Sequence, residues 1–492
     1  MSVAILECSN TTMGVAILEC SNTTMGVFQG NHMKNKSILL CSVLALVLGA
    51  LNANAKVSTK EVNKLGNSLT PFGSIKSGNK NKTIPAWTGG ITEAPMGYEG
   101  TGQHHIDPFA SDDIKFTIDD SNYKGFKNYL TPGQYALFEA YPSSFKINVY
   151  PTHRSHSMPD WVLENTKKNA KTSSLSKGGV GIQNAYGGIP FPILHGKNED
   201  KALQTMWNHL TRWRGIFAIL RSTEVPVQRD GSFSPITKQA EVFFNFHNPK
   251  GSFKKLNNIL FYFLTFNKAP ARLAGGALLV HETMDQVKDK RGAWDYNSGQ
   301  RRVRRAPNLA YDSPIASSDN TRTADDTDMY NGAPDRYNWD YKGVKEFFIP
   351  YNNYKVGQKG VQYDDLVMPG HLNPEYVRWE LHRVHVVEAT LKKGARHIYK
   401  KRVFYVDEDS WGIAMVDQYD NRGELWRVSN ALLKNYYELP GVWSSGDVYH
   451  DLQARRYSVN GLYSEEKQAP VFENKVPNKR YFKPSSLRRR GR

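Results

Sequence analysis

The amino-acid sequence predicts a mainly β, α+β fold organised around a large, curved antiparallel sheet. Residues Val377 to Val428 carry four long strand-like runs separated by three short turns, Lys392-Lys393-Gly394, Asp407-Glu408-Asp409 and Asp420-Asn421-Arg422-Gly423. Strands joined by turns this short pair as antiparallel neighbours. The first run covers fifteen residues, against about 5–6 for an ordinary strand, and strands that long belong to sheets that wrap around something. From Thr211 onward strand-like runs also outnumber helical ones.

The chain opens with a word-for-word repeat: Val3 to Gly14 recurs at Val15 to Gly26. Residues 1–32 therefore read as a mis-called upstream extension, with Met33 as the expected start. Residues 33–55 read as a signal peptide. Met33-Lys34-Asn35-Lys36 is a basic start, Ser37 to Leu51 an apolar run, and Ala53-Asn54-Ala55 a small-residue cleavage site. The apolar run has fifteen residues, short of the roughly 20 needed to span a bilayer. Cleavage after Ala55 and delivery to the periplasm are the expectation. Cys8, Cys20 and Cys41 all precede that point, so the exported chain has no disulfide and no thiolate chemistry.

The leader charges Glu7, Glu19, Lys34 and Lys36 cancel, so the mature chain keeps the net charge of +17. Basic clusters stand at Arg301-Arg302-Val303-Arg304-Arg305 and at Arg488-Arg489-Arg490-Gly491-Arg492. In an exported protein these suit anionic membrane surfaces rather than nucleic acid, or a plain solvated surface.

Residues 56–140 read as an extended N-terminal arm and a helix. Lys56 to Gly102 is rich in Gly, Asn, Thr and Pro, and Tyr123 to Ala140 is helical but interrupted at Thr131-Pro132-Gly133. Residues 141–466 read as a β-rich body. Its expected strands are Phe145–Tyr150, Pro159–Lys168, Trp213–Val227, Gln239–Phe246, Ile259–Asn267, Ala277–Met284, Gly292–Tyr296 and Lys345–Ile349. The meander and Val448–Val459 follow, and Lys201–Leu210 is a helix. A polar, acid-rich insertion spans 308–338, and 467–492 is a basic tail. The run Ile259 to Phe266 is apolar on both faces. Such a strand is covered on both sides, or covered on one and open to a ligand cavity on the other.

The long strand has an inverted centre. Odd positions carry Val377, Trp379, Leu381, Val387, Ala389 and Leu391, with Arg383 and His385 in the middle. Even positions are polar except Val384 and Val386. Either a β-bulge shifts the register, or Arg383 and His385 are polar anchors in an apolar concave face.

Motifs for chemistry are sparse. His382 and His385 stand three apart, a spacing that sends two strand side chains to opposite faces, and no HExxH occurs. Asp407-Glu408-Asp409 lacks the spaced oxygens of a calcium loop and reads as a solvated hairpin tip. There is no G-x-S-x-G, Walker A or dinucleotide fingerprint. No catalytic residue, metal or cofactor is expected.

Several longer segments carry a family likeness. LTPFG (Leu69–Gly73), IPAWTGG (Ile84–Gly90), VYPTHRS (Val149–Ser155), GGIPFPI (Gly187–Ile193), AWDYNSGQRRVRRAP (Ala293–Pro307), IPYNNY (Ile349–Tyr354) and YVDEDSW (Tyr405–Trp411) resemble the proteobacterial domain-of-unknown-function family 1329. The resemblance implies a fold like the LolA/LolB carriers: an incompletely closed β-barrel with helices over its mouth and an apolar cavity. It also implies a non-catalytic carrier of lipid, lipoprotein acyl chains or another hydrophobic ligand. A resistance-nodulation-division transporter or outer-membrane partner would work with it. An enzyme acting on lipid or glycan, or a structural subunit of an outer-membrane assembly, stays open. Alternation nominates Phe261, Phe263, Leu381, Arg383, His385 and Phe404 as cavity-facing.

Overall fold

In the computed structural model residues 57–306 and 311–490 are described. The expected upstream extension, signal peptide and cleavage site fall outside the described residues.

Local signals set the helices. Helix α1 (Thr59–Val62) starts on a Ser58/Glu61 capping box. Thr131-Pro132-Gly133, read from sequence as an interruption, is the start of α2 (Pro132–Ala140). Thr131 accepts from the Gln134 N–H, Gln134 Oε1 accepts from the Thr131 N–H, and Pro132 takes the first turn. Pro159–Lys168 is likewise not a strand. It belongs to α3 (Asp160–Thr172), which buries Val162, Thr166, Asn169 and Ala170 on one helical face. Helix α4 (Asn198–Thr211) is buried at every position from Ala202 on. Its polar residues are satisfied: Asn208 bonds the Phe191 N–H and carbonyl, and Gln204 bonds both backbone groups of His195. Two short helices, α5 (Tyr363–Leu366) and α6 (Pro484–Arg490), complete the set among the described residues.

The strands are β1 (Phe116–Ile118), β2 (Ile147–Val149), β3 (Ser174–Leu175), β4 (Ile182–Gln183), β5 (Phe217–Val227), β6 (Ile236–Phe243), β7 (Ile259–Asn267), β8 (Ala277–Thr283) and β9 (Gly292–Asn297). They continue with β10 (Arg302–Arg305), β11 (Tyr337–Pro350), β12 (Trp379–Leu391), β13 (Lys401–Asp407), β14 (Ile413–Tyr419), β15 (Leu425–Tyr436), β16 (Gly441–Asp451), β17 (Arg456–Leu462) and β18 (Val471–Glu473). Sixteen of them form one sheet in the order β1-β2-β12-β13-β14-β15-β16-β17-β5-β6-β7-β8-β9-β10, with β11 also on β12 and β18 also on β5. The pairings are antiparallel apart from a single β2–β12 contact. Among the described residues the two ends of this order do not pair, so the barrel is incompletely closed. Its β10 edge presents exposed Arg302, Arg304 and Arg305, charges that discourage edge-to-edge association. Helix α4 lies against β11 and β12 and shares one core with them through Leu203, Met206, Trp207, Trp339 and Val384.

The inverted centre of β12 is resolved by its neighbours. Pairing of β12 with β13 is unbroken from Val384 to Thr390. The register shift lies in β11, between Tyr341 and Val344, where Gly343 takes a positive φ of 92°. Strand β12 itself is regular, and both of its faces are buried from Trp379 to Val387.

Residues 311–336, expected as part of a polar insertion, form an inward strap. Asp325 accepts from Arg402 and His397 at 3.0 Å each. Asp328 takes Arg212 and Arg214 at 2.5 Å each, and Arg322 pairs with Glu224 at 2.8 Å. Its acids are matched to arginines just after α4 and on β13, and its own Arg322 to a carboxylate of β5.

Some buried carboxyls lack a cation. Asp417 on β14 is fully buried, its Oδ2 accepts the Tyr405 hydroxyl, and burial pushes its pKa up to about 7. A carboxyl whose folded pKa is raised contributes stability below its unfolded value near 4 that is lost as pH rises through about 7. Asp417→Asn keeps an acceptor for Tyr405 and removes the titration. The variant should melt several degrees above the wild type at pH 8, with the gap shrinking toward pH 5, in thermal denaturation followed across that pH range.

Candidate functional site

The β5–β8 quarter of the sheet walls a partly open apolar cavity of about 340 Å³. Alternate residues supply its wall: Leu220 on β5, Ala240 and Val242 on β6, Phe261 and Phe263 on β7, Leu278 and Val280 on β8. On β7 the other face carries Leu260, Leu264 and Phe266 into the core, so this strand is covered on one side and open to a cavity on the other. Phe244 and Trp443 close one end and the strap residues Ile315 and Ala324 another.

Charged groups at the cavity margin are paired. Arg214 bonds Asp328 and lies 4.8 Å from the centre of the Phe244 ring. Lys238 and Arg322 share Glu224, and Arg291 meets Glu282 at 2.8 Å. The two cations hold the Glu224 pKa at about 2 despite its burial. Asp447 is the exception: burial and the nearby Asp328 charge raise its pKa to about 6, and its Oδ1 has no hydrogen-bond partner. The walls thus offer apolar contact, with Asp447 Oδ1 as a buried, unpartnered acceptor.

A larger groove of about 1010 Å³ runs between the N-terminal segment and the start of β12. Among its charged groups Arg378 bonds Asp112 at 2.6 Å, and its lining is mainly polar. It lacks the apolar walls of the β5–β8 cavity.

Of the six nominated residues, Phe261 and Phe263 stand together in the cavity wall. The other four lie elsewhere. Leu381 and Phe404 are in the main core, Phe404 edge-on to Tyr330 at 5.4 Å. His385 stacks on Trp411 at 4.6 Å and bonds the Tyr341 hydroxyl, and burial lowers its pKa to about 4. Arg383 bonds Glu408 at 2.6 Å and the carbonyls of Ile75 and Ser77. Arg383 and His385 are therefore not anchors inside this cavity: Arg383 clasps the N-terminal arm. Alternation gives their shared face and cannot tell that the arm covers it. The lining residues missed from sequence lie on β5, β6 and β8, whose runs mix polar with apolar positions and look like ordinary half-buried strands, without the two-sided apolar pattern of β7.

The acidic turn is also corrected. Asp407, Glu408 and Asp409 are at most 3 % exposed. Arg154 holds Asp409 through Nε at 2.9 Å and Nη2 at 2.6 Å, and Ser74 donates to the same carboxylate. Three adjacent acids need those distant arginines to be buried at all.

The fold is an incompletely closed antiparallel barrel with a buried helix and an apolar cavity on its β5–β8 side. The chain belongs to the DUF1329 family of proteins of unknown function, whose model matches residues 117–488. It is 45% identical over 460 residues to Uncharacterized protein PA3922 of Pseudomonas aeruginosa, covering 93% of this chain and 100% of that one. Among solved structures it resembles a Vibrio parahaemolyticus domain described as outer membrane lipoprotein-sorting (TM-score 0.41, 15% identity, 59% of this chain and 100% of that one). It also resembles a DUF1329 family protein from Desulfovibrio piger (TM-score 0.38, 14% identity, 56% and 92%). A third is a LolA superfamily protein from Nitrosomonas europaea (TM-score 0.33, 13% identity, 56% and 92%).

The clasp has a measurable consequence. Arg383→Met removes a cation from buried Glu408, a change that costs about 3–5 kcal/mol for a broken buried pair. Limited proteolysis should then cut the arm within residues 60–90 while the barrel stays resistant.

Proposed function

We propose that the protein is a non-catalytic binding protein or carrier for a hydrophobic molecule, held in the β5–β8 cavity. The observation that carries this reading is the cavity itself: about 340 Å³, within the range of about 300–1,000 Å³ of small-molecule sites, walled by apolar side chains and margined by charges already paired. A single acyl chain or a compact apolar molecule with one hydrogen-bond donor for Asp447 suits it. The signal-like leader supports a periplasmic location. The exposed arginines of β10 suit docking on anionic lipid, and an envelope transporter or outer-membrane partner would supply or receive the ligand.

Burying about ten methylenes at about 0.8 kcal/mol each gives about 8 kcal/mol, which sets the tightest Kd on the order of 1 µM before the cost of immobilising the chain. A dansyl-labelled undecanoic acid titrated into the detergent-free protein should brighten and saturate at one per chain. Ala240→Phe fills the cavity from β6 and should weaken binding at least tenfold while leaving the melting temperature within a few degrees. Equal binding by wild type and a folded Ala240→Phe variant would place the probe elsewhere and sink the reading.

A further inference from the structure

Pairing of β12 with β13 places Val384 opposite Asp407. Strand β13 ends at Asp407, and the turn that follows stays beside β12: the Glu408 N–H bonds the Arg383 carbonyl. Arg383 and Glu408 pair at 2.6 Å, and His382, Asp407 and Asp409 form a second group. His Nδ1 or Nε2 and one carboxylate oxygen from each acid lie within 4.8 Å of one another, and all three residues are buried.

The hydrogen bonds leave polar atoms in and beside this group without a partner. His382 Nε2 lies 3.0 Å from Glu380 Oε2. A carboxylate only accepts, so Nε2 donates to it and Nδ1 is the ring nitrogen left over. Nδ1 lies 3.9 Å from Asp407 Oδ1, too far for a hydrogen bond. Asp407 Oδ1 has no partner, although Oδ2 accepts from the Ser410 N–H and hydroxyl. A second observation is independent of the acids. The Tyr351 ring packs 4.1 Å from the His382 ring, the residue is wholly buried, and its hydroxyl also has no partner. Its charge environment is dominated by Asp407, Asp409 and Glu380.

We propose that His382 Nδ1, Asp407 and Asp409 form a buried site for one divalent cation of the zinc class, with the Tyr351 hydroxyl turned toward it. One imidazole and two carboxylates are ligands for zinc-like ions rather than for calcium, which takes oxygen alone. Glu380 is the outer carboxylate that fixes the His382 tautomer, the usual partner of a metal-bound imidazole. Arg154 and Ser74 orient Asp409 in the same way. Bonds of about 2.0–2.2 Å require the three side chains to draw together slightly. The site has no opening for a substrate, so its role is structural: it ties the β12–β13 hairpin beneath the N-terminal arm. The spacing test on His382 and His385 fails to find it because the partners of His382 lie across a strand pair.

The test unfolds the full-length exported chain in guanidinium with a chelator and refolds it with or without Zn²⁺ or Co²⁺. The expected result is one zinc per chain by elemental analysis after desalting, a melting temperature several degrees above the metal-free sample, and a Co²⁺ visible band of a nitrogen- and oxygen-ligated site. His382→Gln and Asp407→Asn should each lose the zinc; where either fails to fold, the wild-type cobalt spectrum and zinc content decide. A folded wild type with no retained zinc and no thermal shift would overturn the site, leaving shared protons as the balancing charge. Zinc uptake undiminished in a folded His382→Gln, Asp407→Asn double variant would overturn it too, as surface binding.

Discussion

Burial of charge in matched pairs is the constraint on which the rest of this structure depends. Asp328 against Arg212 and Arg214, Asp325 against Arg402, and Glu224 against Arg322 and Lys238 pin the strap to the sheet. A buried ion left without its partner is far costlier than the pair is favourable, so the strap has one place to lie. Lying there, it forms part of the cavity boundary. The apolar walls come from ordinary strand alternation, and their enclosure comes from ion pairs.

The same rule acts at the opposite end of β12. Arg154 and Arg383 draw Asp409 and Glu408 inward and fasten backbone of the arm. The Trp411 indole N–H bonds the Phe72 carbonyl close by. The acidic turn so becomes a joint between the arm and the barrel. Crowded acids are left under-neutralised there, and Glu408 is pushed up to about 7 by burial and by Asp409.

The sheet is legible in the sequence because its signals are local. The short turns of the meander, the long runs and the two-sided apolar β7 each state their own pairing or burial. Helix α3 is not legible as a helix, since its buried face includes Thr166 and Asn169 rather than a strong apolar stripe. The strap and the acidic turn mislead for one shared reason. Their composition is that of solvated loops, and the arginines that allow the acidic turn to be buried stand from 25 to 255 positions away. At the cavity, the pattern of β7 alone is enough to nominate Phe261 and Phe263. Leu381, Arg383, His385 and Phe404 share the alternation but face the core or the arm, and periodicity cannot distinguish what covers a face.

The most direct measurement of the central claim is native mass spectrometry on the protein released from the cell envelope without detergent. The account predicts a folded population heavier than the polypeptide by one small apolar molecule, which organic solvent strips away and which then appears in the extract. A bare polypeptide mass in every preparation, unchanged after incubation with acyl chains and other apolar compounds that fit the cavity, would contradict it.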